Sequence, residues 1–269
     1  PEAAWRARWD WVLFGSGFVP ALIFGVAIGN VLQGVPFRLQ NDMRIFYDGS
    51  FFGLLNPFAL LCGLVSVAML VMHGAAWLRL KTQGPVAERA RRFGSVAALL
   101  TVVLYALAGW MLWRYVDGYR ITSAIVTDGP SNPLLKTAEL QAGAWFTNYL
   151  ARPWLWVVPG AGLAGALLAW LGLRLRREWL TLLASTLSIA GIVLSVGASM
   201  FPFLLPSSID PRFSLTVWDS SSSHLTLFIM LVSTAIFLPL IIAYTSWVYS
   251  VLRGKVDAQA ISEERGHAY

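Results

Sequence analysis

The chain is poor in the residues that most site chemistry needs. Its 269 residues include one cysteine, Cys62, and three histidines, His73, His224 and His267. A single cysteine excludes an internal disulfide and any cysteine-ligated metal or iron–sulfur centre within the chain. The histidines are scattered. His73 falls late in one apolar run, His224 at the start of the last, and His267 near the C-terminus. No two of them stand as an axial pair for a haem, and each reads as an interfacial or surface histidine. Charged residues make up only 13% of the chain, and none of the 14 carboxylates falls at the middle of an apolar run. Proton relays and ion-coupled transporters need ionisable groups at membrane depth. This chain alone therefore has no carboxylate path through a membrane. A glycine-rich phosphate loop, a metal-spaced His/Cys cluster and a nucleophile elbow are also absent, as is the residue-by-residue alternation of a membrane barrel.

What the chain has in quantity is apolar length. Hydrophobic residues make up 57% of it, which excludes a disordered chain and argues against a soluble domain. Six stretches, 10–33, 52–78, 94–116, 153–173, 179–203 and 224–252, are each near or above the ~20 residues that cross a bilayer as a helix. Backbone in lipid must satisfy its own hydrogen bonds, so runs of this kind are helices. The expectation is an all-α, polytopic membrane helical bundle over 1–252, followed by a polar cytoplasmic tail at 253–269.

The basic residues orient it. With the start of the first span in the cytoplasm, 13 of the 20 Lys and Arg fall in inner segments and 7 in outer ones. The inner set is tightly clustered, as in Arg89, Arg91, Arg92 and Arg174, Arg176, Arg177. Retention of Lys and Arg inside sets topology, and the C-terminus then lies in the cytoplasm. Trp9, Trp11, Trp77, Trp170, Trp179 and Trp247 fall near the inner face. Trp110, Trp113, Trp145, Trp154, Trp156 and Trp218 fall near the outer one, where indole rings suit the headgroup layer. The net charge of +6 is accounted for by these clusters, and nucleic acid is not an expected partner.

The inner connections, 79–93 and 174–178, are short, so spans four and five are antiparallel neighbours. The outer connections, 34–51, 117–144 and 204–223, are longer. Asp128-Gly129-Pro130-Ser131-Asn132-Pro133 is a dense turn signal, and 136–150 is expected to form a short surface helix. Pro20, Pro57, Pro159, Pro202 and Pro239 punctuate the spans and permit kinks. Small residues recur at helical spacing around Gly25 and Gly29 and across Gly160–Gly165, a pattern that suits close helix packing. The chain opens on Pro1 without a signal-peptide pattern. Its first helix follows directly on two arginines, which reads as a start in mid-protein, in a fragment or a processed product.

Three polar clusters stand out. Trp9-Asp10-Trp11 sits at one end of span one, with Asn30 and Gln33 at the other. Asn56-Pro57-Phe58 opens span two. The third runs from Phe201-Pro202-Phe203-Leu204-Leu205-Pro206-Ser207-Ser208 to Trp218-Asp219-Ser220 and is long enough to fold back over the bundle. Each also reads as ordinary loop and capping chemistry.

These clusters carry a resemblance. Trp9-Asp10-Trp11, Phe18-Val19-Pro20, Gly29 to Phe37, Leu54-Leu55-Asn56-Pro57-Phe58, Asp117-Gly118-Tyr119, Ser131-Asn132-Pro133-Leu134, Ala142-Gly143-Ala144-Trp145 and the third cluster occur in order over nearly the whole chain. In this the chain resembles subunit II of cytochrome bd-type quinol oxidases. The resemblance implies the last six of about nine spans. It implies a haem-bearing subunit I as partner, with haems b and d on that subunit and none on this chain. It also implies contact with the lipid bilayer and the quinone pool, a bound quinone in some members, and a bacterial cytoplasmic (inner) membrane location. The acidic residues and Trp-Asp-Gly stretch that the family links to proton uptake have no counterpart in this sequence.

The functional expectation is a non-haem subunit of a terminal oxidase that oxidises quinol and reduces oxygen to water. Its own work is to support the haem subunit and proton access, with no catalytic residue of its own. Trp9, Asp10, Asn30, Gln33, Asn56, Trp218 and Asp219 are the candidate structural or proton-access residues. Asp10 either assists proton entry or caps its helix, and Asp219 pairs with a basic group on the outer surface. The alternative is an independent small-molecule transporter, which kinked helices and small-residue seams suit. The lack of a mid-membrane charge, an inverted repeat or a broken-helix pair does not suit it.

Overall fold

The computed structural model describes residues 3–127, 129, 131–251 and 254–255. Most of the expected tail, with His267, and the Asp128 and Pro130 positions of the turn signal lie outside the described residues. Six long helices dominate: α1 (Ala3–Gln33), α2 (Pro57–Lys81), α3 (Gly84–Tyr115), α5 (Val157–Arg174), α6 (Glu178–Met200) and α7 (His224–Val251). A short α4 (Thr147–Ala151) precedes α5. All six long helices are long and apolar enough to cross a membrane, and the fold is an all-α polytopic bundle. Helices α2, α3, α5 and α6 form an antiparallel four-helix bundle, with α1 packed against α2. No residue of α7 is buried.

Small residues set how closely the helices approach. A Cβ added at Gly191 would lie 2.4 Å from the Gly162 nitrogen, and one at Gly165 would lie 2.6 Å from the Ser188 nitrogen. The α1–α2 crossing is as tight: a Cβ at Gly29 would meet the Ala59 Cα at 2.6 Å. Lipid tails are as apolar as leucine, so contact of this kind, rather than exclusion from water, holds membrane helices together. The face that α6 buries runs Thr181, Ala184, Ser185, Ser188, Ile192, Ser195, Ser199, in the steps of three and four that keep one side of a helix inward. Ser188 adds an interhelical bond, its hydroxyl donating to Gly162 O at 2.8 Å.

Several boundaries differ from those expected. Helix α3 starts at Gly84 rather than 94, because its first turns are polar and hydropathy does not register them. There Glu88 and Arg91 pair one turn apart. Pro57 occupies the first turn of α2, where its missing N–H costs nothing. Pro159 lies in the first turn of α5 and Pro202 beyond the end of α6, so of these five prolines Pro20 and Pro239 alone lie in a helix interior. The surface helix expected over 136–150 is mostly absent. Residues Ala138–Gln141 are a strand, and Gly143 has φ 74°, a conformation that no helix continues through.

The two ends of the bundle are built differently. One end carries three antiparallel hairpins: β1 (Phe37–Leu39) with β2 (Ile45–Tyr47), β3 (Gly118–Ile121) with β4 (Ala138–Gln141), and β5 (Phe203–Leu205) with β6 (Leu215–Thr216). The other carries the arginine-rich α2–α3 and α5–α6 turns. At the latter, Leu175 N–H donates to Leu171 O and Arg177 N–H to Gly172 O, both at 2.8 Å. The second bond is the 6→1 closure of a Schellman motif, with Arg176 at the position glycine usually fills. Arg176 has φ 56°, a left-handed conformation that costs a residue with a Cβ about 1 kcal/mol.

Gly191→Ala is expected to destabilise the protein by about 2 kcal/mol through overpacking, seen as a lower melting temperature in detergent. Gly74→Ala, where nothing lies within 4 Å of the added carbon, is expected to hold or raise it. Equal effects at the two positions would contradict the close-approach account.

Candidate functional site

Five of the seven sequence-marked residues, Asn30, Gln33, Asn56, Trp218 and Asp219, lie at the hairpin end, where α1 stops. A helix end leaves carbonyls without partners, and here side chains from distant loops supply them. Trp145 Nε1–H donates to Leu32 O at 3.0 Å and the Tyr119 hydroxyl donates to Gln33 O at 3.2 Å. Gly34 follows with φ 91°, and a Cβ there would sit 2.0 Å from Tyr119 Oη. Tyr119, Trp145 and Phe203 are all buried, their rings 5.7–6.2 Å apart between centroids. Trp145 is thus a core residue, not the outer-face headgroup ring its position suggested. Burial, with a smaller push from Asp117, raises the Tyr119 hydroxyl to about 12.

The third loop does fold over the bundle. Val35 N–H donates to Pro206 O at 2.9 Å, Ser208 N–H donates to Val35 O at 3.1 Å, and the buried Ser207 hydroxyl donates to Phe37 O. Asn30 and Asn56, far apart in sequence, form a bridge. Asn30 Nδ2 donates to Val26 O and Leu54 O, each at 2.8 Å, and Asn30 Oδ1 accepts from Asn56 Nδ2 at 3.1 Å. Asn56 Oδ1 in turn accepts Ala59 N–H at 2.8 Å and caps α2. Gln33 lies one turn from Asn30, but its buried Oε1 accepts no hydrogen bond among the described residues.

Asp219 accepts Thr216 N–H at 2.8 Å and lies 2.8 Å from Lys136 Nζ. This pair is mostly buried, its side chains 14% and 10% exposed. Lys136 also donates to Pro133 O at 3.0 Å. Trp218 stands edge-on to Phe201 at 5.7 Å and, with the ion pair, lines a cleft of about 240 Å³. Trp9 and Asp10 belong to the opposite end of the molecule. Trp9 meets Trp5 edge-on at 5.8 Å, and Asp10 is exposed. Because α1 already begins at Ala3, Asp10 sits well inside the helix and does not cap it.

A larger feature was not marked in the sequence. An apolar groove of about 710 Å³ opens in the hairpin half of the bundle between α1, α2, α3, α5 and α6. Phe24, Phe58, Trp110, Trp113 and Trp156 contribute aromatic walls. Its polar edge is a small network: Tyr105 OH donates to Ser195 Oγ at 2.7 Å, and Tyr149 OH donates to Ser195 O at 2.9 Å. The only advance sign was the spacing of the serines along α6. Deeper toward the arginine-rich end, His73 Nδ1 lies 2.9 Å from Ser185 Oγ. His224 opens α7 and is exposed. Among the described residues, no three His, Cys, Asp or Glu side chains gather as metal ligands would.

Tyr119→Phe tests the cap. The folded-state value is raised, so the tyrosine's contribution to stability is complete below about 10, the ordinary tyrosine value, and is lost as pH rises toward about 12. The wild-type minus Tyr119→Phe tyrosinate absorbance titration is expected to show one group ionising near about 12. A difference curve centred near about 10 would contradict the buried, capped position.

Residues 1–252 match the family described as cytochrome bd terminal oxidase subunit II. A "Probable cytochrome oxidase subunit 2" of Haemophilus influenzae is 45% identical over 98% of this chain and 70% of that protein. The "Cytochrome bd-I ubiquinol oxidase subunit 2" of Escherichia coli strain K12 is 42% identical over 100% of this chain and 71% of that protein. The "Cytochrome bd ubiquinol oxidase subunit 2" of Bacillus subtilis strain 168 is 25% identical over 94% of this chain and 65% of that protein.

Proposed function

Because the chain belongs to the cytochrome bd terminal oxidase subunit II family, we propose that it is the haem-free half of its oxidase, holding a haem-bearing partner in place. It is a subunit of a quinol oxidase complex, an oxidoreductase, and a multi-pass protein of the bacterial inner membrane. The match across residues 1–252 carries this reading and disfavours the independent transporter. Haems b and d belong to subunit I and supply the electron transfer from quinol to oxygen. The work of this chain is structural. The Asn30–Asn56 bridge fixes α1 on α2, Gln33 offers a free acceptor beside it, and Lys136–Asp219 with Trp218 locks the third loop. Trp9 and Asp10 lie at the arginine-rich end, which faces the cytoplasm together with the C-terminus. Exposed carboxylate chemistry at Asp10 suits proton delivery to the partner.

With this chain tagged, a haem-bearing polypeptide is expected to co-purify. Asp219→Asn strands Lys136 and is expected to cost on the order of 3 kcal/mol, lowering the haem recovered per tagged chain. Asp10→Asn is expected to keep the haem content and slow oxygen uptake in membranes. A colourless, self-sufficient chain would refute the partner role. Unchanged oxygen uptake would remove Asp10 from proton delivery.

The groove suits the isoprenoid tail of a quinone: it is long, apolar and open to lipid, with hydroxyls at one edge. Gly109 lines it, and a Cβ there meets nothing within 4 Å. Gly109→Phe is expected to fill the groove, leave the fold intact and reduce the quinone recovered by solvent extraction of the purified complex. Equal quinone recovery from both proteins would place the quinone elsewhere.

A further inference from the structure

The arginine-rich end holds more positive charge than its own carboxylates neutralise. Arg79, Lys81, Arg89, Arg91, Arg92, Arg174, Arg176 and Arg177 lie in or beside the two turns, and the acids among them are Glu88 and Glu178. The two turns form one surface. Arg79, near the end of α2, lies 3.9 Å from Glu178 at the start of α6, and Arg79 and Arg176 both act on Glu88 of α3. Behind them Gly94 of α3 packs on Leu173 of α5, with an added Cβ only 3.2 Å from the leucine. Both acids are already engaged, Glu88 with Arg91 and Glu178 with Lys255 at 2.6 Å. Arg92 lies one helical turn from Glu88 and therefore on the same face. Arg92, Arg176 and Arg177 are exposed and form no ion pair among the described residues.

Arg176 makes this more than a topology signal. Retention of positive charge inside a membrane requires basic residues near a turn, in no particular conformation. Here an arginine occupies the one left-handed position of the turn, with φ 56°, where glycine would form the same Schellman motif without strain. Strain kept at a single exposed residue points to a use for its side chain. Seven of the eight cations are arginine, whose planar fork matches two oxygens of a phosphodiester. The surroundings are those of a headgroup layer. Trp179 is 65% exposed next to Arg177, and exposed Phe93 and Val96 continue along α3 toward the membrane centre.

We propose that Arg92, Arg176 and Arg177 form a binding site for the phosphodiester of an anionic glycerophospholipid, its acyl chains running along the bundle. Basic pockets between membrane helices bind such headgroups. The site needs only that this end lies in a headgroup layer, whichever leaflet that is, and it does not rest on the assignment of haems or proton paths.

The test uses the tagged protein with whatever polypeptides accompany it, in mild detergent, titrated with phosphatidylglycerol and followed by native mass spectrometry. Arg176→Gly is expected to weaken phosphatidylglycerol binding about fivefold, and Arg92→Gln with Arg176→Gly about 25-fold, at the affinity that each cation contributes beside anionic lipid. Phosphatidylcholine binding is expected to be the same for all three proteins. Without added lipid, Arg176→Gly is expected to melt no lower than the wild type, because glycine relieves the strained turn. Phosphatidylglycerol affinity unchanged by the substitutions would overturn the proposal. So would displacement of the lipid by millimolar inorganic phosphate, which would mark a general anion site. A lower melting point for lipid-free Arg176→Gly would make the arginine a structural residue and would overturn it as well.

Discussion

Two carbonyls, those of Leu32 and Gln33, hold the hairpin end of this molecule together. They are the acceptors that α1 leaves unpaired where it stops, and in a setting short of water they need donors from the protein. Trp145 and Tyr119 provide those donors from a segment more than eighty residues away in the chain. Their rings then pack against Phe203, tilted or edge-on, so satisfying a helix end also brings the second and third loops onto the first. The left-handed Gly34 lets the chain turn beneath the Tyr119 hydroxyl. Val35 then leaves the helix in position to bridge Ser207. Without the two side-chain donors, three small hairpins would have no common floor. Two-stranded ribbons of this size are not stable alone.

Much of this architecture is legible in the sequence because lipid imposes length and composition. Six apolar runs become six helices, and the small-residue spacing at Gly25, Gly29, Gly162 and Gly165 becomes close approach. The sequence is silent where the determining partner is remote. Asn30 and Asn56 each stand out as polar residues at the edge of a span, yet their mutual hydrogen bond depends on how α1 crosses α2. Asp219 is expected to meet a basic group, but that the partner is Lys136, from a loop some eighty residues earlier, shows only in the fold. The strands escape notice because pairs of two to four residues have no periodicity to read. Trp145 looks like an interfacial ring because position along the chain gives depth and not burial. The groove is invisible for a different reason: it is defined by space that side chains from five helices leave unfilled.

The two ends of the bundle solve the same problem by different means. At the hairpin end the exposed backbone is covered by aromatic rings and by serine and asparagine side chains, most of them buried. At the arginine-rich end the connections are short enough for the helices to satisfy their own termini, as in the α5–α6 turn. The side chains there are left for the solvent and the headgroups. Helix α7 depends on both ends. Tyr249 meets Trp77 edge-on and Lys255 reaches Glu178 at one end, and Ser131 donates to Ser221 O just before α7 at the other. Between these ties its apolar length is exposed.

The groove follows from the packing that holds the helices together. Helix α6 buries small hydroxyl residues against the glycines of α5, which draws that pair close. Helix α1 is drawn just as closely onto α2 through Gly25 and Gly29. Close approach within two pairs leaves the space between them to be filled by larger residues, and Phe24, Trp110 and Trp156 line it without closing it. The hydroxyls at its edge are already committed: Tyr105 donates to Ser195, Ser195 to Ile192 O, and Tyr149 to Ser195 O. An occupant therefore gains little from new hydrogen bonds. It also gains little from the hydrophobic effect, since it arrives from lipid rather than water. Shape is what remains. A stiff, branched chain loses less freedom on being confined than a flexible one does, so the ordering cost of whatever enters decides how well this space can hold it.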